Sequence, residues 1–299
     1  MTRPQTTSTQ HKPATDDEAA FKRLLRRAEK LPLKHRLRLL DALRSGTVLE
    51  RGDGIRFAIE SLPEYKRVRR HKSANKPLET WIASFGPNDI FFDIGANTGS
   101  LSLLAAHAHQ GRVRIVAFEP ASDSFGALVR NVLINDLGRT VTPLQVALFD
   151  ETGIRPFHRS SLGAGSALHA VGEAIDYARR PFAPAAVEHV LAFRLDDLVR
   201  TFALPSPTRL KLDVDGAELK VLGGAREVLT ATRCDVFTEL VEAGPGDPHP
   251  AEIIRFLHEL GYVQVELVEH SPPGTYPRIL DALFVSRSRT SHHARGRKS

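Results

Sequence analysis

The stretch Phe91-Phe92-Asp93-Ile94-Gly95-Ala96-Asn97-Thr98-Gly99 decides how the rest of the chain is read. An apolar run, Ile90 to Ile94, contains one carboxylate and passes into a Gly-x-x-x-Gly loop. Leu101 to Ala108 then reads as helix. A strand that feeds a glycine loop at a helix start presents free N–H groups where a nucleotide cofactor can rest. Gly95 permits the turn and lets a ligand approach the backbone, and Gly99 lets the helix start pack close to the strand. Dinucleotide-binding loops ask for Gly-x-Gly-x-x-Gly so that pyrophosphate can sit on the helix end. Here Asn97 stands where the middle glycine is needed, and no Gly-Lys-Ser/Thr is present. Asp93 would repel a pyrophosphate and attract an ammonium. The loop suits S-adenosylmethionine (SAM), whose amino-acid end carries an ammonium and whose sulfonium is positive.

Outward from this loop, strands and helices alternate. Arg114 to Phe118 reads as a second strand, Ser124 to Leu133 as a helix, and Thr142 to Phe149 as a third strand. Arg209 to Val214 is a fourth strand, followed by a helix over Ala217 to Leu229. Cys234 to Val241 is a fifth, followed by a helix over Ala251 to Leu260. Tyr262 to Val268 and Ile279 to Val285 are two last strands with no helix between them. Repeated βα units require parallel neighbours and right-handed crossovers, and a helix-free last connection requires an antiparallel edge. The expected fold is α/β: a Rossmann-like, seven-stranded, mostly parallel sheet with an antiparallel edge strand, of the methyltransferase rather than the dehydrogenase type. Residues 152–194 break the rhythm and read as an insertion on the substrate side.

Three further signals carry chemistry. Glu119 ends the second strand and can accept hydrogen bonds from both ribose hydroxyls. Leu210-Lys211-Leu212-Asp213-Val214-Asp215-Gly216-Ala217-Glu218 ends the fourth strand in closely spaced acids, which cannot all be ionised and buried without partners. Asp213 is the candidate to accept or steer a hydroxyl proton, with Glu239 on the fifth strand as its alternative and His158 as a further candidate base. No histidine has metal-ligand spacing, so no metal site is expected.

Read together, Asp-Ile-Gly-Ala-Asn-Thr-Gly, Phe118-Glu119-Pro120, Asn131 and Asn135, Ala147-Leu148, Leu195-Asp196-Asp197-Leu198 and Lys-Leu-Asp-Val-Asp-Gly-Ala-Glu resemble the FkbM family of SAM-dependent methyltransferases. The resemblance covers roughly residues 77–285. It implies a class I methyltransferase fold and O-methylation of a hydroxyl on a sugar, glycan or secondary metabolite. Carried over residue by residue, Asp93, Gly95, Ala96, Asn97 and Gly99 would form the cofactor loop. Glu119 would hold the ribose, Ala147 would lie beside the adenine, and Asp213 would sit at the methyl-transfer face. The family pattern has Glu where this chain has Asp215.

The flanks differ in composition. The chain has 299 residues, 41% hydrophobic and 25% charged, which excludes wholesale disorder. Its net charge of +6 is unevenly spread. Residues 1–76 hold 19 Lys and Arg against 9 Asp and Glu, residues 287–299 hold five basic residues and no acid, and the middle is acidic. Residues 1–15 and 287–299 read as disordered tails. Residues 16–76 read as a basic helical extension with a hairpin, and 77–286 as the methyltransferase domain. The basic amphipathic stretch 16–45 could attach weakly to an acidic membrane surface. No run of ~18 apolar residues predicts a membrane span, and Met1 to Thr15 carry no apolar core of a Sec-type signal. One cysteine, Cys234, excludes an internal disulfide framework, and a cytoplasmic location is expected. The expected partner is a small-molecule or glycan acceptor rather than nucleic acid, because basic–aromatic interleaving is missing. An RNA-directed enzyme using the basic ends, and a SAM-binding protein without catalysis, remain as alternatives.

Overall fold

The computed structural model describes residues 16–44, 47–70, 76–272 and 274–288. The expected tail at 1–15, and that at 287–299 beyond Ser288, lie outside the described residues. The chain divides into two units, 1–48 and 49–299. The first holds two helices, α1 (Asp16–Glu29) and α2 (Leu33–Arg44). Phe21, Leu24, Leu25 and Ala28 recur at helical spacing on α1, and Pro32 separates the helices at a position that cannot continue α1. No residue of α2 is buried.

The second unit begins well before residue 76. β1 (Val48–Glu50) and β2 (Arg56–Ala58) form the expected hairpin, and α3 (Leu62–Arg70) and α4 (Lys76–Ala83) follow. Ile55, Phe57, Val68, Leu78 and Trp81 join one buried cluster with Phe91, Leu103 and Leu128 of the main domain. The extension drawn from charge at 16–76 therefore splits. Ile55, Phe57 and Val68 of its second half belong to the core, because large apolar side chains gain by burial whatever the surrounding charge.

The main sheet is built from β3 (Ile90–Ile94), β4 (Arg114–Phe118), β5 (Val141–Leu144), β10 (Arg209–Leu212), β11 (Asp235–Glu242), β12 (Tyr262–Glu269) and β13 (Arg278–Ser286). Its order is β12-β13-β11-β10-β3-β4-β5, parallel from β5 to β11 and antiparallel through β13 and β12. The helices α5 (Ser100–Ala108), α6 (Ser122–Ile134), α8 (Glu218–Gly223), α9 (Arg226–Thr232) and α10 (His249–Glu259) make the crossovers. Successive strand residues point to opposite faces. Phe91, Ile115 and Ala117 accordingly enter one core, while Phe92, Val116 and Phe118 enter the other.

Two local expectations differ from the structure. The third strand is not continuous to Phe149. β5 stops at Leu144 on the sheet edge, where Pro143 is tolerated, and the chain turns so that β6 (Ala147–Leu148) joins a second sheet. That sheet, ordered β6-β9-β7-β8, is the insertion: β7 (Gly153–Arg159), β8 (Ala170–Val171) and β9 (Ala186–Phe193), followed by α7 (Leu195–Phe202). The helix expected over Ala217 to Leu229 breaks into α8 and α9 at Gly223-Gly224. A Cβ on Gly224 would collide with the Phe149 carbonyl oxygen, so the break admits the backbone arriving from β6.

Candidate active site

The sheet order reverses between β3 and β10, the switch point where ligands of open α/β sheets bind beyond the carboxyl ends of the strands. Register fixes which residues meet there. Ile94 stands opposite Phe118 on one side and Leu212 on the other, so Gly95, Glu119 and Asp213 leave the sheet at one level. They open on a cavity of about 280 Å³, also lined by Asn97, Ala147 and Glu239.

Gly95 has φ +77, and a Cβ on it would collide with the Asp213 carbonyl oxygen. The loops after β3 and β10 thus touch through a glycine that no other residue could replace without strain. Glu119 is held on backbone amides. The Asn97 N–H donates to its Oε2 at 2.9 Å and the Ala121 N–H to its Oε1 at 2.8 Å. Burial pushes its carboxyl up to about 7 against those two bonds.

Asp93, Ala96, Gly99 and His158 do not line the cavity. Asp93 is fully buried in β3, where its Oδ2 accepts from Ser102 Oγ at 2.6 Å and its Oδ1 lies 3.6 Å from Lys211 Nζ. It fastens α5 to the sheet and faces an internal cation rather than a ligand's ammonium. Ala96 contributes its backbone, its N–H donating to Phe118 O at 3.0 Å. Gly99 (φ +86) leaves room for Leu128 of α6. His158 is turned away because β7 pairs with β8, and its Nε2 lies 2.8 Å from Gly172 O. The histidine that does line the cavity is His169. Its Nδ1 accepts from the Ser160 N–H at 3.2 Å, and burial together with the nearby Arg159 charge lowers it to about 4, so it is neutral.

The acids after β10 and on β11 crowd one end. Asp213 is half-exposed, with its Oδ2 3.2 Å from Lys211 Nζ. Lys211 is buried and also donates to Gly95 O at 3.1 Å. Burial opposes its charge, but the Asp213 and Asp93 carboxylates hold the ammonium above its ordinary value. Asp215 (φ +56) accepts from the Leu168 N–H at 2.7 Å, and burial with the Asp213 charge pushes it above the usual carboxylate range. Glu218 knots this loop, its Oε1 accepting from the N–H groups of Val214 (3.1 Å) and Gly216 (3.2 Å), and burial raises it to about 7. Glu239 is pushed up furthest, by burial and then by the charges of Asp213, Glu218, Asp215 and Asp281. At neutral pH it retains its proton and presents a donor.

Sequence reasoning missed Arg67 on α3, and His169 and Tyr177 of the insertion, all of which line the cavity. Gly216 makes room for Tyr177, since a Cβ there would lie 3.1 Å from the Tyr177 Cα. Lys211 had a legible signal: a lone cation inside an apolar strand next to acids implies a buried partner. Among the described residues, no group of three or more His, Cys, Asp or Glu could hold a metal ion, and no helix is long and apolar enough to cross a membrane.

The chain is similar to known methyltransferases. The chain is 26% identical over 219 residues to the hexuronic acid methyltransferase AglP of Haloferax volcanii, covering 73% of this chain and 82% of that one. It is 30% identical over 162 residues to the 31-O-demethyl-FK506 methyltransferase FkbM of Streptomyces tacrolimicus, covering 47% and 61%. Among solved structures, the methyltransferase FkbM of Methylobacillus flagellatus KT matches with a TM-score of 0.47 and 16% identity over 74% of this chain. The chain spans 50% of that one. The sequence profile of the Methyltransferase FkbM domain matches residues 93–263. That match covers more than half of the chain and runs from the glycine loop through the acids of β10 and β11, and the protein therefore belongs to the FkbM family of methyltransferases.

Proposed function

We propose that the protein is a SAM-dependent O-methyltransferase whose acceptor is a hydroxyl on a sugar, glycan or secondary metabolite. The observation that carries this reading is the placement of Glu119 and Asp213 on one cavity at the strand-order reversal. The residues fit SAM. A carboxylate fixed by two amides is a ready acceptor for vicinal ribose hydroxyls. The Gly95 backbone is open to close approach, and Val146, Ala147 and Leu148 supply an apolar wall for a base. When bound, SAM supplies an electrophilic methyl group on a sulfonium.

The protein's own work is then positioning and proton handling. Asp213, paired with Lys211, would take the proton that the acceptor hydroxyl loses as its oxygen bonds the methyl carbon and the carbon–sulfur bond breaks, releasing a neutral thioether. Glu239, still protonated, donates a hydrogen bond and orients the acceptor. Relatives named for a hexuronic acid and for a 31-O-demethyl position support oxygen as the atom methylated.

Calorimetric titration with SAM and with NAD⁺, followed by mass spectrometry of uronic acids and demethylated macrolides incubated with SAM, tests the reading. Binding of SAM and a mass gain of one methyl are expected. Binding of NAD⁺ in place of SAM would defeat it. SAM binding without transfer to any hydroxyl, but with transfer to an amine or to RNA, would replace the acceptor class.

A further inference from the structure

Four carboxylates line the cavity, Glu119, Asp213, Asp215 and Glu239, and among its described lining residues there is one cationic side chain, Arg67. Lys211 does not line it, being engaged by Asp93 and Asp213. A ligand carboxylate entering so acidic a space needs a cation, and Arg67 is the group placed to supply it.

Arg67 belongs to α3, upstream of the residues matched by the family profile, and α3 together with Ser61 just before it is fastened to the insertion at three points. Ser61 Oγ donates to Ala164 O at 2.8 Å, and Arg67 Nε donates to Gly165 O at 3.2 Å. Glu64 packs so closely that a Cβ on Gly165 would lie 2.7 Å from its amide nitrogen. The next residue, Ser166, accepts from Asn97 Nδ2 at 2.7 Å, which docks the same strip on the glycine loop. Arg67 is thus held by its Nε beside that loop. Among the described residues its two Nη nitrogens make no hydrogen bond, and its charge acts on Asp215, which lines the same cavity and whose ionised form it favours.

We infer that Arg67 is the carboxylate-binding residue of this site, and that it takes the carboxylate on the amino-acid end of SAM. The inference rests on the SAM reading above and adds to it a residue from outside the matched domain. A guanidinium anchored through Nε still presents two parallel donors, the geometry a carboxylate accepts.

The test is calorimetric titration of wild type, Arg67→Met and Arg67→Lys with two ligands. S-adenosylhomocysteine has the amino-acid end, and 5′-methylthioadenosine lacks it. In Arg67→Met the affinity for S-adenosylhomocysteine should fall about tenfold to a hundredfold, while that for 5′-methylthioadenosine stays within about twofold. Arg67→Lys should recover part of the loss. Equal weakening of both ligands overturns the inference, since Arg67 would then only hold the 164–166 strip. Unchanged S-adenosylhomocysteine affinity also overturns it. That outcome includes a carboxylate on the acceptor as the true occupant, seen as loss of the thermal shift that glucuronate adds to the wild-type complex. If wild type binds neither adenosyl ligand, the SAM reading itself fails and takes this inference with it. Glu119→Gln, expected to weaken both ligands, marks that separate dependence.

Discussion

At the β3–β4 end of the cavity one carboxylate, Glu119, has both oxygens on backbone amides. At the β10–β11 end Asp213, Asp215, Glu218 and Glu239 crowd together, and burial and mutual repulsion push three of them up. The first end is arranged to accept hydrogen bonds from neutral hydroxyls in a fixed direction. At the second, burial and like charge favour the protonated forms of Asp215, Glu218 and Glu239. Lys211 joins the two, donating to Gly95 O while pairing with Asp213. On the proposed reading, the first end binds and the second handles the proton.

Breaking the contact between the two ends should have the largest effect. In Gly95→Ala the new Cβ meets the Asp213 carbonyl oxygen at a φ of +77, with no side chain that can give way. We expect a loss of about 4 kcal/mol or more, measured by urea denaturation. A midpoint equal to wild type would show that the two loops are not locked together. Next, Asp213→Asn should lower kcat about 10²- to 10⁴-fold while leaving S-adenosylhomocysteine affinity near wild type. Parallel losses of affinity and kcat would place Asp213 in cofactor binding instead.

The pH dependence of stability sharpens the contrast. Glu119 and Glu218 are raised from the unfolded value near 4.5 to about 7, so the ligand-free folded state holds their protons more tightly than the unfolded chain. Their contribution is full below the unfolded value and is lost as pH rises through 7. His169, lowered to about 4, works in the opposite sense, but only below about 6.5. Glu239, pushed up to about 9, acts in the same direction as Glu119 and Glu218. Between pH 6.5 and 9 the stability of the ligand-free protein, read as its melting temperature, should therefore fall, by about 1 kcal/mol for each of Glu119 and Glu218 and by more for Glu239. Glu119→Gln should flatten the slope, and a rising melting temperature over this range would contradict the assignment. The smallest effect is expected away from both ends. His158→Gln should cost about 1 kcal/mol, from its bond to Gly172 O, and leave kcat unchanged. A shifted pH–rate profile in that variant would return His158 to the chemistry.

The features legible in the sequence are those encoded over short spans. A buried strand, a glycine loop and an acid one strand later are local patterns, and they place Gly95 and Glu119 at the carboxyl ends of neighbouring strands. The alternation of strands and helices was enough to predict seven strands and the antiparallel edge. The inward turn of Asp93 was not legible, because an acid at that spacing looks the same whether it meets a ligand or Ser102 and Lys211. The split at Gly223-Gly224 depends on the Phe149 carbonyl oxygen, some 75 residues earlier in the chain, and no helical periodicity encodes that contact.

By itself, the sequence determined the alternation of strands and helices with its antiparallel edge, the glycine loop and the identity of the acids at the strand ends, because side-chain period and backbone freedom are properties of neighbouring residues. Only the tertiary structure decided which of those acids face the cavity, which keep their protons, and that Arg67, His169 and Tyr177 join them. Those outcomes depend on burial and on charges brought together from distant segments, and a carboxylate's protonation is set by what surrounds it in space rather than by what precedes it in the chain.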